Sequence, residues 1–355
     1  MPDIELRFHH DMLVVSAPAD ALLARQGVNA ARDRQYLNLM EPDAIRDALR
    51  LEVVAGAQCL TTTTEDITRA RLAHLNMEGD AAHLANAALD IANELKPQHV
   101  LVEIGPCGLP LDPSSKASLN ENRSQYADAA RAFEGGVFDA FLLNGFTDLV
   151  DLKCALMGVS QVSGKPMFAS VTLGETARAL TTADAQDGQR DDAERVLDSV
   201  ASAYPITADG FEVVDDVPAP PAPAAYRKPL DPGCWPAAVD VMVDMGAAVI
   251  GFETAAPIAK AVEYARIAVE RSSRPVMAQL FVSDQSSKGS AAKGLVPLDE
   301  IDEYTPDTMA PAAVKLFGAG VQFLRATGAA TPAFTGALAA TVQGLDVRTS
   351  QVPDA

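Results

Sequence analysis

Eight short stretches of this chain are apolar almost without interruption: MLVVSA (12–17), CLTTT (59–63), HVLVEIG (99–105), AFLLNG (140–145), PMFASVTL (166–173), AAVIGFE (247–253), PVMAQLFV (275–282) and VQFLRA (321–326). A strand with one face in water alternates apolar and polar residues, whereas a strand apolar on both faces has to be covered on both. Strands of this second kind belong to parallel sheets sheathed by helices. Helical patterns fill the intervals, over 42–55, 66–75, 119–134, 148–162, 235–245, 257–271, 308–317 and 331–342. Several stop at glycine just before the next apolar run, at Gly56, Gly135-Gly136, Gly246 and Gly318-Ala319-Gly320, where a helix hands over to a strand. Eight strands, each followed by a helix, predict an α/β fold of the (β/α)8 TIM-barrel type. An open doubly wound sheet is the alternative.

One interval is too long. About 70 residues separate the fifth run from the sixth, where a short loop and one helix would suffice. It contains an acidic amphipathic pattern at 191–203 and the Pro/Ala-rich VPAPPAPAAYRKP at 217–229. We read residues 180–232 as an insertion at the top of the barrel: a lid, a docking arm or a solvated excursion. The barrel is then one domain over residues 1–345, followed by a tail, 346–355.

A net charge of −20 repels phosphate backbones and anionic lipid. Nucleic acid and membrane surfaces are therefore poor partners, and a small molecule is the expected ligand. No run of apolar residues is long enough to cross a membrane, and MPDIELRFHH has no basic segment leading into an apolar core. Cys59, Cys107, Cys154 and Cys234 are far apart and form no CxxC, so they read as free thiols in a reducing cytoplasm.

Barrel enzymes keep their chemistry at the C-terminal ends of the strands. Here those ends supply Ser16 and Asp20, Thr61 to Glu65, the turn Gly105-Pro106-Cys107-Gly108, Asn144, Thr172 and Glu175, Glu253 and Thr254, Gln279 and Ser283, and Arg325 and Thr327. The set is rich in hydroxyls and amides, with a few carboxylates, and suits a polar small molecule. The run TTTTED (61–66), Thr62 included, either grips an anion through hydroxyls and helix amides or ends a strand with Thr64 capping the next helix. Cys107 sits in a turn where a thiol at the mouth would be exposed, but it has no histidine nearby to activate it. None of the five histidines falls at a strand end, which argues against a histidine-based zinc site. GAG at 318–320 lies between helix and strand, the reverse of the order a dinucleotide site needs.

The order of these motifs resembles the homocysteine S-methyltransferase family, which includes betaine–homocysteine methyltransferase and the homocysteine module of cobalamin-dependent methionine synthase. LNLMEPDAIRDALRLEVVAGAQCLTTTTEDITRARLA is similar to the family's second unit, and VLVEIGPCG to its Ile-Gly-Pro-x-Gly turn. EGGVFDAFLLNGFTDLVDLKCAL, MGAAVIGFETAAP and GAGVQFLRATGAATP resemble its fourth, sixth and eighth units. The likeness runs over residues 12–343. It implies a TIM barrel, one-carbon metabolism and methyl transfer to a small thiol. It also implies a zinc ion held by three cysteines, which stabilises the substrate as thiolate.

At those ligand positions the chain departs from the family. The cysteine of the sixth unit aligns with Thr254, and the Cys-Cys pair of the eighth with Thr327 and Gly328. The loop Asp-Gly-Ala-Met-Gly-Thr aligns with SAPADA (16–21), and the Glu-Thr that grips substrate aligns with Asn144 and Gly145. The expectation is a divergent methyltransferase that moves a methyl group to or from a small thiol, or a corrinoid- or folate-linked carrier, without that zinc. Asn144, Glu253, Thr254, Thr327, Thr62 and Cys107 would shape its pocket. The alternatives are a non-catalytic ligand-binding or regulatory barrel, and an enzyme of another class on the same scaffold. Family members are often oligomeric, so a homo-oligomer is a further expectation.

Overall fold

The computed structural model describes residues 3–27, 36–174, 228–283, 301, 303–343 and 345. Each of the eight apolar runs contains a strand: β1 (Leu13–Val15), β2 (Cys59–Thr61), β3 (His99–Ile104), β4 (Ala140–Phe146), β5 (Met167–Leu173), β6 (Val249–Thr254), β7 (Val276–Val282) and β8 (Val321–Gly328). They pair in parallel in chain order and close, β8 returning to β1 through Leu13↔Phe323 and Val15↔Arg325. The closure makes the fold a TIM barrel and excludes the open sheet. The acidic pattern at 191–203 and most of the 180–232 insertion lie outside the described residues, as do Glu175 and the 346–355 tail.

The helices of the described residues are α1 (Asp20–Arg25), α2 (Pro42–Ala55), α3 (Arg69–Leu72), α4 (Ala81–Glu94), α5 (Lys116–Arg131), α6 (Leu149–Val162), α7 (Trp235–Asp244), α8 (Ile258–Arg271), α9 (Pro306–Gly318) and α10 (Pro332–Val342). Their ends follow local chemistry. Proline opens α2, α9 and α10, where its missing N–H costs nothing. Thr305 and Thr308 form a reciprocal cap on α9. Gly56, Gly135, Gly246 and Gly320 take positive φ at the turns into strands, as their placement before the apolar runs predicts. Two helices, α1 and α4, were not expected from the sequence. α4 buries Leu84, Ala85, Ala88, Leu89, Ile91 and Ala92 along one helical stripe.

Alternation along the strands separates two cores. Leu13, Val15, Cys59, Leu101, Leu142, Phe168, Met277 and Phe323 fill the barrel interior. Their neighbours Val14, Leu60, Val102, Leu143, Ala169, Ala278 and Leu324 pack outward against the helices. The N-terminal end of the barrel is closed by the 3-10 turn Ile4–Arg7, which buries Ile4 completely, and by Phe8, whose ring lies 6.1 Å from Phe168 and 5.9 Å from Phe323. Among the described residues, the barrel interior is thus closed at this end, and its C-terminal end is where a barrel site is expected.

Two contacts make testable demands. Gly158 lets α6 approach α5 so closely that an added Cβ would lie 2.5 Å from the Arg123 carbonyl oxygen and 3.0 Å from the Ala127 nitrogen. Gly158→Ala is expected to lower stability by about 1–3 kcal/mol, read as a lower urea midpoint at unchanged m-value. Glu52 on α2 accepts from Ala17 N at 3.0 Å and from the Thr335 hydroxyl at 2.6 Å, joining the loop after β1 to α10. Burial pushes its carboxyl above the ordinary value, and these hydrogen bonds offset that only in part. A raised carboxyl binds its proton more tightly folded than unfolded, so stability falls as pH rises through the folded-state pKa. Glu52→Gln is expected to flatten that fall in a series of urea melts taken from acid to neutral pH.

Candidate functional site at the barrel mouth

A charged residue inside an otherwise apolar strand is costly to bury unless it is paired. β3 and β8 each carry one, Glu103 in HVLVEI and Arg325 in VQFLRATG, and the barrel brings them together. Arg325 has no solvent exposure and Glu103 is 5% exposed. Their contact is bidentate, with Nη1 to Oε1 at 2.9 Å and Nη2 to Oε2 at 2.7 Å. The remaining guanidinium donors go to the Ser16 carbonyl (2.9 Å), Gln279 Oε1 (3.2 Å) and Thr61 Oγ1 (3.2 Å). All five N–H groups of Arg325 are therefore engaged. Burial works against its charge, but the carboxylates of Glu103, Glu253 and Glu65 outweigh that and hold its pKa above the ordinary value.

The network spreads around the wall. Asn144 donates to Glu103 Oε1 at 2.8 Å and accepts from Gln279 at 2.7 Å, and Gln279 also donates to Ser170 Oγ at 2.7 Å. β2, β3, β4, β5, β7, β8 and the residue after β1 are joined in one layer across the barrel. A register shift in β4 between Leu143 and Phe146, with Gly145 at φ +76°, sets the chain at Asn144. The sequence reading singled out Asn144, Gln279 and Arg325 at strand ends but not Glu103 or Ser170. The signal for Glu103 was its charge in the middle of an apolar run.

Above this layer stand the residues a ligand would meet. Glu253 is partly exposed and accepts from the Thr172 hydroxyl at 2.9 Å. Thr327, two residues beyond Arg325 on the same face of β8, is 2% exposed, and its hydroxyl has no hydrogen-bond partner among the described residues. A small cleft at the β1–β3 side of the mouth is lined by Asp20, Thr61, Thr62, Thr63, Glu65 and Glu103.

Of the other anticipated pocket residues, Thr62 lines that cleft while also bonding within the wall, and Thr254 and Cys107 are buried behind it. Thr62 Oγ1 meets Thr64 Oγ1 at 2.6 Å and accepts from Glu103 N at 3.2 Å. The Thr64 hydroxyl donates to the Glu103 carbonyl at 2.8 Å and does not cap a helix, contrary to the sequence reading; the threonine run stitches β2 to β3. Thr254 is fully buried and accepts from Ala256 N at 3.1 Å. Cys107 is not exposed at the mouth. It is fully buried in the core between strands and helices, its thiol donating to Asn122 Oδ1 at 3.0 Å. Burial pushes the Cys59 thiol up to about 12 and Cys154 up to about 11, which makes both inert as nucleophiles. Cys59 lies in the barrel interior, Cys154 on α6, and Cys234 is exposed at the start of α7. No three of the cysteines converge at the mouth, so the described residues do not fit a zinc held by three thiolates.

Removing one member of the central pair leaves the other charged and buried. Arg325→Met is expected to cost about 3–5 kcal/mol in urea denaturation, and Arg325→Met with Glu103→Leu to recover much of that loss. The comparisons with other proteins agree with the architecture. Residues 17–214, more than half of the chain, match the family model for homocysteine S-methyltransferase. The match ends before Thr254, Thr327 and Gly328. Among solved structures, the metallated form of the homocysteine methyltransferase MmuM from Escherichia coli aligns with a TM-score of 0.62 at 13% identity, over 93% of this chain and 96% of that one. Its apo form aligns with a TM-score of 0.57 at 13% identity, over 94% and 96%. A comparison with curated proteins found no match. At such low identity the structures speak for the fold, and it is the sequence match, laid over a closed barrel, that places this chain in the homocysteine S-methyltransferase family.

Proposed function

We propose that this protein is a divergent methyltransferase of its family, transferring a methyl group to a small thiol without a three-thiolate zinc. The observation that carries the reading is the pair of groups above the Arg325 layer: an accessible carboxylate, Glu253, fixed by Thr172, and a buried hydroxyl, Thr327, lacking a partner. A buried polar atom without a partner is costly, and a bound polar ligand would supply the partner. Arg325 cannot hydrogen-bond a thiolate, because its donors are all used. Glu253 therefore takes the thiol proton. The sulfur forms its bond to the methyl carbon as the donor–methyl bond breaks, and that electron pair leaves with the donor.

The donor has to be strongly activated, since no metal prepares the acceptor. A sulfonium or ammonium compound, a methylfolate or a methylcorrinoid on a carrier protein fits that need, and binding side by side supplies much of the rate. Asn144 holds the floor of the pocket level through Glu103 and Gln279. Thr62, Thr254 and Cys107 shape its wall from behind.

The saturation of Arg325 also favours a second reading, a ligand-binding barrel without catalysis. Methyl transfer to homocysteine, followed by mass spectrometry with each of the four donor classes, separates the two. The expected result is turnover with at least one donor, reduced roughly 10²-fold in kcat/KM by Glu253→Gln. Thermal stabilisation by thiols with no turnover from any donor would overturn the proposal in favour of the second reading.

A further inference from the structure

The family's zinc requires three sulfur donors to meet at one point, and the resemblance puts them at 254, 327 and 328. We infer that this barrel excludes such a centre through the course of its backbone, so that restoring the three cysteine side chains would not restore the metal. The inference concerns metal uptake alone and stands whether or not the chain transfers methyl groups.

β8 never leaves its partner. Phe281 pairs with Thr327 and Val282 with Gly328, and Ala329 N still donates to the Val282 carbonyl at 2.9 Å. Consecutive side chains of a paired strand point to opposite faces. Thr327 keeps to that rule, on the inner face with Arg325, whereas Gly328 departs from it at φ +66°, so the space at 328 decides whether a donor fits there.

Position 328 has no room for a side chain in any direction. Gly328 has φ +66°, and a Cβ there would lie 2.5 Å from the Val282 carbonyl oxygen and 2.8 Å from the Phe281 ring. The nearest atom is backbone, and it is the same carbonyl that holds Ala329. A cysteine at 328 would have to part β7 from β8.

Position 254 faces the wrong way. Ile250 and Phe252, its alternates on β6, pack in the core between barrel and helices, whereas Glu253 reaches Thr172 on the inner side. A thiolate at 254 would point into the helix layer and one at 327 into the barrel.

The test titrates the full chain and three variants with Co²⁺ in place of zinc, reading thiolate-to-cobalt charge transfer, and follows unfolding in urea. Gly328→Ala is expected to reduce the folding equilibrium constant by about tenfold or more. Thr254→Cys with Thr327→Cys is expected to fold and to bind cobalt within about tenfold of the parent, without a two-thiolate spectrum. The triple variant, adding Gly328→Cys, is expected to unfold or to bind no stoichiometric cobalt. A Gly328→Ala protein as stable as the parent overturns the inference, and so does a folded double variant with a two-thiolate spectrum or a triple variant with one tetrahedral three-thiolate cobalt per chain. Turnover enters none of these readouts, so loss of the methyl-transfer proposal would leave them unaffected.

Discussion

The Arg325–Glu103 pair governs the upper half of this barrel. A guanidinium at the centre of a protein has to satisfy five donors in one plane, and here five oxygens from around the barrel do so. Asn144, Gln279, Ser170 and Thr61 are then committed as well, each oriented by a neighbour in the same network. The layer divides the interior in two. Below it the barrel is apolar and sealed by Ile4 and Phe8; above it lie Glu253, Thr172 and Thr327. Such a layer is poorly suited to chemistry and well suited to support, because none of the Arg325 donors is left for a ligand.

The parts of the fold that depend on burial were legible in the sequence. Continuous apolar runs marked each strand because a parallel strand touches core on both faces, and glycines marked several turns because they take positive φ without strain. The helices Asp20–Arg25 and Ala81–Glu94 were not. At the site, residue types could be read but not their directions. Thr254 and Glu253 are neighbours in sequence, yet one faces the helices and the other the barrel. Thr62 and Thr64 carry hydroxyls suited to ligand binding, yet both are used in joining strands. Cys107 sits in a glycine–proline turn that suggests exposure, yet Asn122 and Tyr126 enclose it. The charges in the middle of β3 and β8 were the clearest missed sign, because two opposite charges in apolar strands of one barrel have few partners but each other.

Departures from the family fall both inside the matched part of the chain, at Asn144 and Gly145, and beyond it. The match covers 17–214, the part that builds β2 to β5 and the region following them. The altered ligand positions lie on β6 and β8. A barrel allows such departures because its strands are independent spokes of one scaffold, and the chemistry sits in what they present at one rim.

Arg325 has one more consequence. An ion held by side-chain ligands is exchangeable: competitors displace it, chelators strip it, and acid releases it as the ligands protonate. A positive charge borne on a side chain of the protein itself has no off-rate. Arg325 keeps its charge, balanced by Glu103, whatever the metal supply.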